Sequence, residues 1–251
     1  MMRRKFILKK NYSNSLIKPL GLLSSLSIYL FAALLLFVVT HYAIPFLTQT
    51  TGQESIFFLF VAGGLGVFVP LILIGIAILK RERVSSLSVH LFTRRLRFRP
   101  MTKRDWLYCL YGFVGIMVTT SILLVAVEQI WGSMNPTPSF LSFEPLSEGR
   151  YWLLGVWVVF WLLNIGGEEF LWRGVMFPRQ EIVFGKWTWL VHGSGWALFH
   201  LAFWFQPFIM LLPLIYIQSY VVQKTKNSWT GVILHGGING PAFIAISLGL
   251  I

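Results

Sequence analysis

Long apolar runs separated by shorter polar stretches organise this chain. The runs are Leu20–Leu47, Ile56–Leu79, Trp106–Val127, Tyr151–Phe177, Trp187–Phe205, Gln206–Val222 and Ser228–Ile251. Each is of the order of 20 residues, the length a helix needs to cross a hydrocarbon core roughly 30 Å thick. The pattern predicts an all-α protein, a polytopic bundle of about seven transmembrane helices. The fourth run is long enough to tilt or to extend past the membrane. The first is too long for the apolar region of a signal peptide and reads as a retained span, so no cleavable leader is expected.

Composition agrees. The chain of 251 residues is 56% hydrophobic and 12% charged, with a mean hydropathy of +0.70. A soluble domain of this length does not carry so much apolar surface. There is no internal repeat, low-complexity tract or linker, so one membrane domain accounts for the length. Within it, residues 1–19 form a basic segment, 20–150 hold three helices and their loops, and 151–251 hold the last four. The single cysteine, Cys109, excludes an intrachain disulfide and any multi-cysteine metal site. It lies in an apolar run and reads as a buried, inert thiol.

Charge sets the orientation. Six Lys or Arg fall in residues 1–19, nine in 80–105, three between Arg173 and Lys186, and two in 223–227, which is 20 of the 21 basic residues. Arg150 alone lies in a loop of the other side, which carries Glu54, Glu128, Glu144 and Glu148. Positive charge on alternating loops is the positive-inside pattern. It predicts a multi-pass cell-membrane protein with a cytoplasmic N-terminus and the C-terminus outside. The net charge of +12 is then explained by topology and contact with anionic lipids. The cluster "RRLRFRP" lies between two spans, as a topogenic loop should, and does not indicate nucleic-acid binding.

Against this background, "NIGGEEFLWRGVMF" (164–177) is unusual, because it follows the uncharged stretch Tyr151–Leu163 and carries Glu168, Glu169 and Arg173. A charge near the bilayer centre costs about 2.5–3.5 kcal/mol on insertion scales, and such residues usually face the bundle interior and serve function. Glu169 and Arg173 stand four residues apart, acid first, the favourable order for a helical ion pair. Glu168 is rotated by ~100°, has no cation at that spacing and is left for another partner. The next spans supply candidates: "WALFH" ends in His200, and "HGGIN" places His235 and Asn239 on one helix face. At 1.5 Å per residue from the cytoplasmic ends, Glu168, His200, His235 and Asn239 lie ~14, ~20, ~10 and ~17 Å deep. They therefore share one polar band. Gly166, Gly167, Gly193, Gly195, Gly231, Gly236, Gly237 and Gly240 flank them, and small residues let transmembrane helices approach closely. Ordinary packing explains these glycines equally well.

These residues resemble the motifs of the CPBP family of intramembrane proteases (CAAX prenyl protease 2-like, formerly the abortive-infection family). "EEFLWR" resembles the family's EExxxR and "HGGIN" its HxxxN. "WALFH" resembles FxxxH, with Trp196 in place of phenylalanine. The resemblance covers about Tyr151–Ile251 and makes 151–251 the catalytic core. It implies that Glu168, helped by His200, activates a water for attack on a peptide carbonyl of a membrane-associated protein or peptide. It further implies that His235 and Asn239 stabilise the oxyanion, and that Glu169 and Arg173 hold the geometry. Neutral donors aimed at a developing oxyanion act most strongly where water is scarce.

Alternatives are open on the residues. Glu168, Glu169, His200 and His235 have the donor types for zinc, but there is no HExxH and Asn239 is a poor zinc ligand, so no cofactor is expected. "HGSG" puts Ser194 beside His192, but a serine mechanism leaves the EExxxR block unexplained. His41 and His90 lie near span ends and are assigned no catalytic role. A bacteriocin-immunity protein, a membrane scaffold and a proton-coupled transporter are the non-proteolytic readings. An unpaired intramembrane glutamate is unnecessary to a scaffold, and a proton path should reach both faces.

Overall fold

The computed structural model describes residues 17–82, 93–132, 140 and 143–250. Residues 1–16, His90 and Ile251, on which some expectations fall, lie outside the described residues. The secondary structure described is helical. Helix α1 spans Leu22–Thr51, α2 Ser55–Arg81 and α3 Lys103–Trp131. Helix α4 (Trp152–Glu169) continues through a π-helical turn (Phe170–Met176) into α5 (Phe177–Phe184). Then come α6 (Thr188–Phe199), α7 (Phe205–Thr225) and α8 (Ser228–Ser247).

Local chemistry sets these boundaries. Gly52 ends α1 in the left-handed region at φ 71°, where a residue without Cβ is least strained. Thr102 and Asp105 form a capping box that starts α3. Asn227 caps α8 by accepting from the Trp229 amide at 3.2 Å. The α7–α8 connection is only Lys226 and Asn227, which forces the two helices antiparallel.

Four stretches among the described residues are long and apolar enough to cross a membrane: Leu22–Thr51, Ser55–Arg81, Lys103–Trp131 and Trp152–Phe203. The last has 52 residues, more than twice what one crossing needs, and it is broken where Gly185 turns to φ 52°. The outward faces are apolar. Along α3, Leu110, Val114, Met117, Ile122 and Val125 are all exposed, with Trp106 and Trp131 exposed near the two ends. Such a belt is stable in hydrocarbon, and tryptophan favours its borders. The protein is a multi-pass membrane protein.

Polar contacts sort the loops into two ends. At one end Arg179 donates to both carboxylate oxygens of the buried Glu82, at 2.9 and 2.6 Å, and Arg95 pairs with Glu82 at 3.3 Å. There too Arg97 and Lys226 pair with Glu181, and Asn227 donates to Asp105 at 3.2 Å. The backbone of Lys18 joins this end through Glu82. At the other end Arg150 pairs with Glu54 and donates to the carbonyls of Glu144 and Pro145, while the Leu146 amide donates to the Ser247 carbonyl. The described parts of the loops that are rich in Lys and Arg thus share one end of the bundle. The exceptional Arg150 is held by an acid of its own end.

With that sorting, reporter fusions after Asn227 and at the C-terminal end are expected to report opposite sides of the membrane. The same side for both would remove α8 as a span.

The core forms where α6 packs on α7 and α1, α7 on α3 and α8, and α4 on the middle of α2. The approach of α1 to α6 depends on Gly195. A Cβ there would overlap the ring of Tyr29. Tyr29 stacks on Trp172 at 4.9 Å, and its hydroxyl lies 2.9 Å from Nδ1 of His192. His192 also contacts Gln180 Oε1 at 2.7 Å, and Gln180 donates to Ser25 at 3.0 Å. This buried cluster fastens α1 to α5 and α6.

Candidate active site

The residue pair Glu168 and Glu169 ends α4, where the helix widens into its π turn, and both side chains are buried. Successive helical residues point about 100° apart, so the two carboxylates enter different surroundings. Short π segments often mark functional positions. Two more, Val39–Ala43 in α1 and Leu59–Phe68 in α2, present Val39, Thr40, Leu59, Gly63 and Phe68 to the cavity that Glu168 lines.

Glu169 is sealed inside the protein. Its Oε1 accepts from Gln218 Nε2 and His235 Nδ1, each at 2.9 Å, and lies 3.2 Å from Arg173 Nη1. Arg173 is fully buried, and its guanidinium carbon sits 3.6 Å from the centre of the Trp196 ring. A cation over an indole face is stabilised by the ring quadrupole. Helix α8 reaches this pair only because residue 231 is glycine; a Cβ there would collide with Glu169 Oε2.

Glu168 faces the other way and lines a cavity of about 440 Å³. Its Oε1 accepts from Asn164 Nδ2 at 2.9 Å. Its Oε2 accepts from two indole N–H groups, Trp172 at 3.2 Å and Trp196 at 2.7 Å. The expected absence of a local partner therefore holds for cations only. Asn164 and Trp172, four residues to either side on the helix, are neutral donors within the same stretch. Since a carboxylate oxygen accepts two hydrogen bonds, Oε2 is filled and Oε1 keeps one position.

His200, His235 and Asn239 line the same cavity as Glu168. His200 is the first residue of a short 3-10 turn (His200–Phe203) that breaks the helix after α6, and Trp204 follows at φ 64°. Its Nδ1 lies 2.9 Å from the Trp196 carbonyl. A carbonyl only accepts, so Nδ1 carries the hydrogen and the neutral ring has its lone pair on Nε2. His235 gives its Nδ1 hydrogen to Glu169, so it donates toward the cavity only as imidazolium. The Asn239 amide donates without taking up a proton. The remaining wall is largely apolar and aromatic, with Trp157, Phe160, Trp161, Phe199 and Phe243 prominent.

All six candidates from the sequence converge in this region, as two layers. Glu168, His200, His235 and Asn239 face the cavity; Glu169 and Arg173 lie behind. Asn164, Trp172 and Gln218 join them without having been singled out. The signals for them were their spacing from Glu168 and, for Gln218, an amide in an apolar helix. Ser194 and His192 do not pair: Ser194 lies 3.1 Å from the Tyr216 hydroxyl, and His192 belongs to the Tyr29 cluster. His41 contacts Thr40 at 2.9 Å and stacks on Phe37.

The fold and the site define a polytopic helical membrane protein with buried acid and histidine groups and half-buried amides around an apolar chamber. A family model described as type II CAAX prenyl endopeptidase, Rce1-like, matches residues 150–240. That segment is similar to the CPBP/CAAX protease family, and it contains all six candidates. No curated protein and no solved structure matches the chain.

Proposed function

We propose that this protein is an intramembrane endopeptidase of the CPBP/CAAX type, which cleaves a peptide bond in a membrane-associated protein or peptide with a glutamate-activated water. The observation that carries the reading is the shared cavity of Glu168, His200, His235 and Asn239, with a buried ion pair behind it. A water at the open position of Glu168 Oε1 gives its proton to the carboxylate as its oxygen attacks the scissile carbonyl. His200 Nε2 accepts the second water hydrogen as a hydrogen bond and so orients the nucleophile. The carbonyl oxygen becomes an oxyanion beside Asn239 and His235, and the Asn239 amide donates to it. Collapse breaks the C–N bond, and the proton held by Glu168 passes to the departing amine. Glu169, Gln218 and Arg173 keep His235 and the end of α4 in register. The family description supports a prenylated CAAX substrate, and the aromatic walls suit an apolar chain. The site lies in the cell membrane, with the N-terminus cytoplasmic and anionic lipids at the basic end.

His200→Ala should lower kcat of a cleaved reporter peptide with little change in protein abundance. Asn239→Ala should lower it by roughly 10²–10³, the usual cost of one oxyanion donor. Normal kcat in both variants would remove the assigned roles.

No metal is required by this reading. Glu169 Oε1 is already occupied by Gln218, His235 and Arg173, and no three His, Cys, Asp or Glu converge on a point among the described residues. Elemental analysis of the purified protein should find no stoichiometric zinc. Chelator inhibition that zinc reverses would overturn this.

A further inference from the structure

We infer that Trp196 is a positioning residue for Glu168, acting through the hydrogen bond from its indole N–H while its ring braces the buried ion pair. The inference rests on the reading of Glu168 as the base. Trp196 touches both layers of the site. Its Nε1 donates to Glu168 Oε2 at 2.7 Å, the shortest of the contacts to that carboxylate. Its ring face lies 3.6 Å from the Arg173 guanidinium carbon. Its ring centre stands 5.5 Å from that of His200 and 5.4 Å from that of His235, both edge-on. Its carbonyl fixes the His200 hydrogen on Nδ1.

The side chain is wholly buried. A phenylalanine, the residue of the motif that "WALFH" resembles, would keep a ring on Arg173 and donate nothing. In this chain the indole adds a second bond to Oε2, which fills that oxygen and confines water binding to Oε1. The carboxylate is thereby held in one orientation toward His200. Trp172 alone would leave Oε2 with an open position and the carboxylate able to offer either oxygen.

The test compares wild type, Trp196→Phe, Glu168→Gln and a protein with benzothienylalanine at 196. Benzothienylalanine keeps the fused ring and lacks the N–H, so it preserves folding where phenylalanine leaves a void. The probe is a fluorogenic peptide ending in a farnesylated CAAX sequence, and cleavage is normalised to folded protein. Both replacements of Trp196 should lower kcat by roughly 10- to 100-fold, the usual range for a hydrogen bond to a charged group, with KM within about twofold. The indole N–H resonance that disappears when residue 196 is replaced should move in Glu168→Gln, which a packing role would not cause. If benzothienylalanine at 196 leaves kcat at the wild-type value while Glu168→Gln is inactive, the inference fails and the base assignment stands. If the wild type does not cleave the peptide, or Glu168→Gln cleaves it normally, the reading beneath the inference fails.

Discussion

Glu169→Gln should leave little folded protein in the membrane. The substitution keeps an oxygen that accepts from Gln218 and His235, both of which donate to Oε1 at 2.9 Å. It removes the negative charge beside Arg173, whose side chain is fully buried. Removing one partner of a buried ion pair costs about 3–5 kcal/mol, because the other charge stays in the interior uncompensated. The Trp196 ring offsets part of that cost. A loss of even ~3 kcal/mol is a large fraction of the stability of most domains, so abundance and activity should fall together. The partner test is Glu169→Gln combined with Arg173→Gln, which removes both charges and should recover much of the lost stability. The check is the thermal unfolding midpoint in detergent with the yield of monodisperse protein. Equal midpoints for wild type and Glu169→Gln would remove the ion pair as a structural element.

Glu168→Gln should separate from this behaviour. A glutamine keeps an oxygen that can accept from Trp172 and Trp196, and its NH2 takes the place of Oε1, toward which the Asn164 amide can turn its oxygen. No buried cation loses its salt-bridge partner, since the donors to Glu168 are neutral amide and indole groups. Folded yield should therefore stay close to wild type. Activity should not, because the proposed proton acceptor is gone; loss of a general base commonly costs on the order of 10²–10⁴ in rate. Two adjacent glutamates would then give opposite phenotypes, one of stability and one of chemistry.

The sequence carried much of the architecture because membrane helices announce themselves by length and hydropathy. Among the described residues the apolar runs fall on helices, with the fourth continuing past Phe177 to Phe184. The grouping of Lys- and Arg-rich loops at one end was legible for the same reason, since charge must stay out of hydrocarbon. Irregularities were not. Each π segment and the 3-10 turn at His200 depends on how neighbouring helices fill the space beside it, and no local residue pattern encodes that. The Glu82–Arg179 contact joins residues 97 positions apart, which no helical spacing can reveal.

The candidate site was legible where its chemistry is charged. Glu168, Glu169 and Arg173 stand out in an apolar run, and His200, His235 and Asn239 fall in one depth band. Neutral donors were hidden. Asn164 and Trp172 occupy the two positions one helical turn from Glu168, yet a search for cations at that spacing passes over them. Trp196 stood out only as a replacement for phenylalanine in "WALFH", whereas its distinguishing contact is a hydrogen bond to a residue 28 positions earlier. Gln218 reaches Glu169 across 49 residues of chain. Such contacts become visible only when α4, α6, α7 and α8 are assembled.

The most direct test of a glutamate-based intramembrane protease is a comparison of peptides and membrane proteins from cells that carry either the wild type or Glu168→Gln at matched abundance. Precursors that accumulate with Glu168→Gln are then incubated with each purified protein, and the products are identified by mass. The account predicts a precursor that the wild type cleaves at a defined peptide bond and that Glu168→Gln cleaves on the order of 10² times more slowly or worse. Identical peptide profiles, with the full biological effect retained by Glu168→Gln, would contradict it and leave a non-catalytic immunity or scaffold role.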